Sequence, residues 1–138
     1  MDPKIGITLT QAMLHNYEHF STFKTYEIYM LEEDVSFLIA IDKDNLVCGC
    51  FEFHEIEDGI QLAHMYVLPQ LKGQGIGKAI LKEAVEFWIS FELPSTNNND
   101  TYYYIENGYD FIISCFKEGI LSEPNFKNPE KNNYEEYE

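Results

Sequence analysis

Leu62-Ala63-His64-Met65-Tyr66-Val67-Leu68-Pro69-Gln70-Leu71-Lys72-Gly73-Gln74-Gly75-Ile76-Gly77-Lys78-Ala79-Ile80-Leu81 opens a stretch that runs on to Trp88. An apolar, strand-like run stops at Pro69, and a turn with glycine at every second position follows. Beyond it Ile76, Ile80, Ala84 and Trp88 recur four apart, with Leu81 and Val85 beside them, which is helix spacing. Strand, glycine turn and helix in that order aim backbone N–H groups and the positive end of a helix at phosphate.

Two common phosphate-binding signatures do not fit. A P-loop needs Gly-Lys followed by Ser or Thr, and here Ala79 follows Gly77-Lys78. A dinucleotide fingerprint needs G-x-G-x-x-G and an acidic residue about 20 positions later, whereas Gly73, Gly75 and Gly77 alternate. The pattern that remains is V-x-P-x-x-Q/R-G-x-G-x-G/A, filled by Val67, Pro69, Gly73, Gly75 and Gly77. It resembles motif A of the GNAT-type N-acetyltransferases, which bind acetyl-CoA. Lys72 stands where the family usually has Gln or Arg, and it keeps a positive donor there. The plain alternative is three glycines that serve tight packing alone.

Composition bounds the rest. A chain of 138 residues is about one domain. Hydrophobic residues at 45% and aromatics at 15% make it a folded globular protein. The net charge is −15 and every fixed cation is lysine, which argues against nucleic-acid binding. A cationic or amine partner is weakly favoured. No apolar run approaches the roughly 18 residues of a membrane span, and no signal-peptide pattern opens the chain, so a cytoplasmic location is expected. Three cysteines make no disulfide framework. Cys48 and Cys50 are expected to share a strand face as small buried residues, and no metal is expected.

In chain order, residues 4–9 read as a first strand. Thr10 can cap a helix carrying Met13, Leu14, Tyr17 and Phe20, and a second helix is expected over 22–31. Strands follow at 35–41, 46–54 and 60–67, joined by turns rich in Asp, Asn and Gly, so successive hairpins make them antiparallel. After the central helix, 89–93 can form a fifth strand parallel to the fourth. A helix from about Asn97 to Asn107 would stop at Gly108, and 109–116 would be a sixth strand. Residues 1–121 are taken as a single domain and 122–138 as an acidic, mobile tail.

A second resemblance lies downstream. Asn97, Asp100, Tyr103, Tyr104, Gly108 and Tyr109 follow the family's later motif N-x-x-A-x-x-F-Y-x-x-x-G-F, with Asp100 in place of a small apolar residue. Together the two motifs imply an α+β GNAT acyl-CoA N-acyltransferase fold. Its central sheet is mixed and mostly antiparallel, with helices on both faces. The resemblance implies direct transfer of an acetyl group from acetyl-CoA to a primary amine in a ternary complex. The amine could belong to a small molecule, a polyamine or a protein, and a homodimer is left open.

The resemblance also distributes roles. Lys72, Gly73, Gln74, Gly75, Ile76, Gly77 and Lys78 would hold the pyrophosphate, with Lys82 nearby on the helix. Met65 and Val67 would pair by backbone with the pantetheine arm, and Asn97 would complete the cofactor site. Tyr104, at a helix end, would protonate the departing thiolate. The general base is less defined: His64 on the fourth strand, or Glu52 or His54, which share a face of the third. A different function class stays in view, an acidic GNAT-fold interaction module or nucleic-acid mimic without catalysis.

Overall fold

The structure, a computed structural model, describes residues 2–130. Thr10 caps one helical turn, α1 (Gln11–Leu14), its hydroxyl accepting from the Met13 N–H at 3.2 Å. Upstream of it, residues 4–9 make only a bridge, Thr8 to Leu46, instead of the expected strand. Gly6, at φ +83°, turns the backbone out of the extended region there.

The first expected helix is cut short to α1, and the second is replaced by a hairpin of β1 (Glu18–Phe23) and β2 (Tyr26–Leu31). Their apolar residues also satisfy period two: Ile28 and Met30 point into one core, and Leu31 points into the other. The turn, Lys24-Thr25, lacks the Asn-Gly type of signal, and Lys24 adopts φ +55° without it. Sequence periodicity alone therefore could not separate hairpin from helix.

The centre matches expectation. β3 (Val35–Ile41), β4 (Val47–Ile56) and β5 (Gly59–Val67) extend the sheet antiparallel in the order β1-β2-β3-β4-β5. Asp42 closes the β3–β4 turn, its carboxylate accepting from the N–H groups of Asp44 at 2.8 Å and Leu46 at 3.0 Å. Two bulges follow from the registers. Cys48 is the extra residue between Val47 and Gly49, so Cys48 and Cys50 face opposite cores and do not share a face as alternation implied. Ala63 is the extra residue in β5, which brings His64 directly opposite Glu52.

A three-residue 3-10 turn, Pro69–Leu71, leads to α2 (Ile76–Trp88). α2 buries Ile76, Ile80, Leu81 and Ala84 against the sheet. It sits close because β4 offers Gly49: a Cβ there would lie 2.8 Å from Ile80 Cδ1. After α2, the parallel strand at 89–93 shrinks to one bridge, with Leu62 N–H donating to the Glu92 carbonyl at 2.9 Å and Glu92 N–H to that of Ile60 at 2.8 Å.

The expected helix at 97–107 is absent. Asn97 N–H donates to Ser95 Oγ at 2.9 Å and Asn99 N–H to Asn97 Oδ1 at 3.0 Å, and such local side-chain acceptors compete with helical bonds. Gly108 starts a helix instead of ending one: α3 (Gly108–Lys117) replaces the expected sixth strand and buries Ile112 and Cys115, three apart. It ends at Gly119, φ +78°, where Gly119 N–H reaches the Phe116 carbonyl and Ile120 N–H that of Cys115.

α2 and α3 cover one face; α1 and the segment before it cover the other, around Leu9, Phe37, Ile39 and Cys50. Phe126 is buried with its ring 4.9 Å from that of Phe91, so the packed domain reaches past 121. Residues 131–138 of the expected tail lie outside the described residues.

Candidate active site

β5 pairs with β4 along its whole length, but on its other side the chain meets it only at Gln61–Glu92. Beyond that bridge the segment departs, passing Pro94 and pairing Ser95 with Tyr103. The gap between them is the mouth of a cavity of about 790 Å³. Ala63, His64, Met65, Tyr66 and Val67 line one wall, and Pro94, Tyr103 and Tyr104 the other. The glycine loop and the start of α2 form its floor, and α3 closes it with Asp110, Phe111, Ser114 and Glu118.

Each glycine of the loop has its own reason. Gly73 and Gly75 adopt φ +86° and +89°, a region that L side chains avoid. A Cβ on Gly73 would meet nothing within 4 Å, so its outer side is open; a Cβ on Gly75 would lie 3.1 Å from Phe23 Cζ. Gly77 serves packing as well, since a Cβ there would sit 3.1 Å from Phe111 Cε1. Gly75 caps α2, and Ile76, Gly77 and Lys78, in the first turn where N–H groups have no partner within the helix, line the cavity.

The loop's charges are only partly as expected. Lys72 and Lys78 line the cavity, but Lys82 does not. Both lining lysines have carboxylate partners: Lys72 Nζ lies 3.8 Å from Glu106 Oε2, and Lys78 is bonded to Glu118. The Lys78 ammonium and then the Ser114 hydroxyl hold the Glu118 carboxyl below its usual range. Sequence reading missed Lys24. It stands at the tip of the β1–β2 hairpin, lines the cavity, and donates from Nζ to the Gln74 carbonyl at 3.0 Å. No local signal could place it there, because the contact joins residues 50 positions apart.

Tyr104 lies on the cavity wall, though in the bridged segment rather than at a helix end. Its ring meets that of Tyr109 edge-on at 5.7 Å, and its hydroxyl is buried without a hydrogen-bond partner. Burial foremost, then the neighbouring Tyr109 and Cys115, push its phenol well above the ordinary value, so it stays protonated. The helix-ending glycine of this region is Gly119, and four positions before it stands Cys115, buried, so no phenol rises from α3 there. Asn97 is spent on its own turn and does not line the cavity.

On the other sheet face sits a polar cluster. Cys50 and Glu52 alternate with Phe51 and Phe53, whose side chains enter the core under α2, so the Glu52 carboxylate points away from α2. His64 Nε2 and His54 Nε2 each approach Glu52 Oε2 at 3.3 Å. Among the described residues, no group of His, Cys, Asp or Glu has the arrangement of a metal site. His64 also lines the cavity, which Glu52 and His54 do not.

A family model described as an acetyltransferase (GNAT) domain matches residues 33–110, more than half of the chain. The chain belongs to the GNAT acetyltransferase family. The GNAT match takes in β3, β4, β5, the glycine loop and α2, and it stops at the first turn of α3. The β1–β2 hairpin with Lys24 lies outside it. No curated protein matches the chain. Membership of the GNAT family supports acyl transfer as the activity. Among the described residues, no helix is long and apolar enough to cross a membrane.

Proposed function

We propose that this GNAT domain carries an acetyl group from acetyl-CoA to a primary amine by direct transfer in a ternary complex. One observation carries the reading: His64 belongs both to the cavity under α2 and α3 and to the polar cluster on the opposite sheet face. The acyl donor and the amine can therefore approach β5 from opposite sides and meet at one strand.

The residues present fit acetyl-CoA in two respects. The turn at Gly73 leaves open space beside it, and a buried hydroxyl on the wall lacks a partner. Orphaned buried hydroxyls are rare enough in proteins to call for an explanation. When bound, acetyl-CoA supplies the thioester. The N–H groups at the start of α2, with Gly73, Gln74, Gly75, Ile76, Gly77, Lys72 and Lys78, hold its diphosphate. The edge of β5 at Met65 and Val67 offers backbone groups to the amides of the pantetheine arm.

The acceptor amine must lose a proton, since a free alkylamine has a pKa near about 10. His64 takes it. Glu52 stands 3.3 Å from its Nε2, beside the ring. A positioned base of this kind contributes about 10²–10⁴ in rate. Tyr104 gives its proton to the departing thiolate.

Lys24 adds a cation that faces the loop from the hairpin. Lys24→Met is expected to weaken acetyl-CoA binding about fivefold to tenfold at low salt, with a smaller difference at high salt. Calorimetry at two ionic strengths measures this; equal affinity at low salt would remove Lys24 from the site.

The reading as a whole is tested by calorimetry with acetyl-CoA and by a screen of amines for thiol release. No binding at millimolar acetyl-CoA would end it. Salt-sensitive binding to a basic protein, independent of CoA, would support the acidic interaction module instead, which the net charge of −15 favours.

A further inference from the structure

A site for a diphosphate calls for positive charge, yet the fixed charges lining the cavity cancel. Lys24, Lys72 and Lys78 stand against Glu106, Asp110 and Glu118. Lys78 is bonded to Glu118, and Lys72 Nζ lies 3.8 Å from Glu106 Oε2. Lys24 differs: it donates to the Gln74 carbonyl, and among the described residues no carboxylate pairs with it. We infer that Glu118 and Glu106 are built-in competitors for the acyl donor's diphosphate, and that they set how much of the donor's affinity its phosphates supply. This rests on the reading of the glycine loop as the diphosphate site.

Each carboxylate is presented by its own local structure. Glu118 ends α3, and its Oε2 accepts from the Ser114 hydroxyl at 3.0 Å as well as from Lys78. The backbone holds the same turn, with Glu118 N–H donating to the Ser114 carbonyl at 3.0 Å. Its two partners hold the Glu118 carboxyl low, so it is ionised at neutral pH. Glu106 sits at φ +50° in a turn closed by Gly108 N–H, which donates to the Ile105 carbonyl at 3.0 Å. Ser114 and Glu118 lie beyond residue 110, where the GNAT match ends.

Both ammonium groups must leave these carboxylates before they can face phosphate. The exchange is a shallow one. The side chains of Glu118 and Glu106 are 51% and 77% exposed, and such pairs are weak and screened by salt. It also has a kinetic consequence. The diphosphate takes no part in acyl transfer, and both acetyl-CoA and the departing CoA carry it. Contacts to it are equally strong before and after the reaction, so weakening them raises KM without slowing the chemical step.

The test uses the full chain and calorimetry with three probes: acetyl-CoA, inorganic pyrophosphate, and S-acetylpantetheine, which lacks phosphate. Glu118→Gln is expected to tighten acetyl-CoA about fivefold, Glu106→Gln about twofold and the double variant about tenfold, with smaller gains at high salt. Pyrophosphate should gain by similar factors, and S-acetylpantetheine should not gain. KM for acetyl-CoA should fall with the dissociation constant while kcat does not rise. Both substitutions are isosteric at exposed positions and keep the fold, which melting curves check. A folded double variant that binds pyrophosphate and acetyl-CoA no more tightly than the wild type overturns the inference. An equal gain for S-acetylpantetheine overturns it too. Tighter pyrophosphate in the double variant, with no acetyl-CoA binding in either protein, upholds the competition and removes acetyl-CoA as the donor.

Discussion

Gly75→Val lowers acetyl-CoA affinity by at least about 100-fold while the domain still folds. The backbone at 75 has φ +89° and caps α2. A β-branched residue there carries left-handed strain of about 1–2 kcal/mol. Its Cβ would also stand 3.1 Å from Phe23 Cζ, the far end of a side chain that can swing aside. In a chain of this size the strain lowers Tm by about 3–8 °C, which melting curves will show. Binding suffers much more. Relaxing the turn swings the first N–H groups of α2 off their common target, and moving Phe23 displaces Lys24, which is bonded to the adjacent Gln74 carbonyl. Gly73→Ala is the companion, because its Cβ meets nothing in the protein and enters only the open side of the loop. Calorimetry on both variants decides the matter. Wild-type affinity in a folded Gly75→Val protein would mean that the loop does not hold phosphate.

Tyr104→Phe is expected to change two quantities in opposite senses. Turnover falls well over tenfold, because the thiolate then leaves without a proton donor. KM for acetyl-CoA changes little, since the ring and its packing remain. Stability rises slightly, by about 1 kcal/mol, because the lost hydroxyl is buried with no partner and its desolvation goes uncompensated in the folded state. Urea unfolding and steady-state kinetics on the same preparation measure both. Unchanged turnover would assign the proton to another group or to none. A fall in stability would mean that the hydroxyl has a partner in solution. The combination is informative because a merely structural tyrosine would not couple higher stability to lower turnover.

The parts of the site that were legible in the sequence share one property: their signals are local. Gly73, Gly75 and Gly77 sit between an apolar run and a helical period, and the structure gives that stretch the turn and helix that the spacing requires. Val35 to Val67 reads as three strands because Asp42 and Gly59 mark the turns between runs of β-branched and aromatic residues. The second motif misled for an equally local reason. Asn97, Tyr104 and Gly108 match a helix-bearing pattern in spacing, yet Ser95 and Asn97 satisfy nearby backbone N–H groups and hold a turn. Asn107 followed by Gly108, Phe111, Ile112 and Cys115 carried the true helical spacing.

Sequence by itself determined the order of β3, β4, β5 and α2 and the backbone freedom of the glycine loop, because hydrophobic period and glycine placement act over a few residues. Only the tertiary structure decided which side chains meet. The bulge at Ala63 sets His64 opposite Glu52, the hairpin brings Lys24 to Gln74, and the bridge at Ser95 carries Tyr102 to His54. Each of these depends on strand register or on contacts between residues far apart in the chain. A one-residue slip moves every side chain of a strand to the other face, and no local pattern records it.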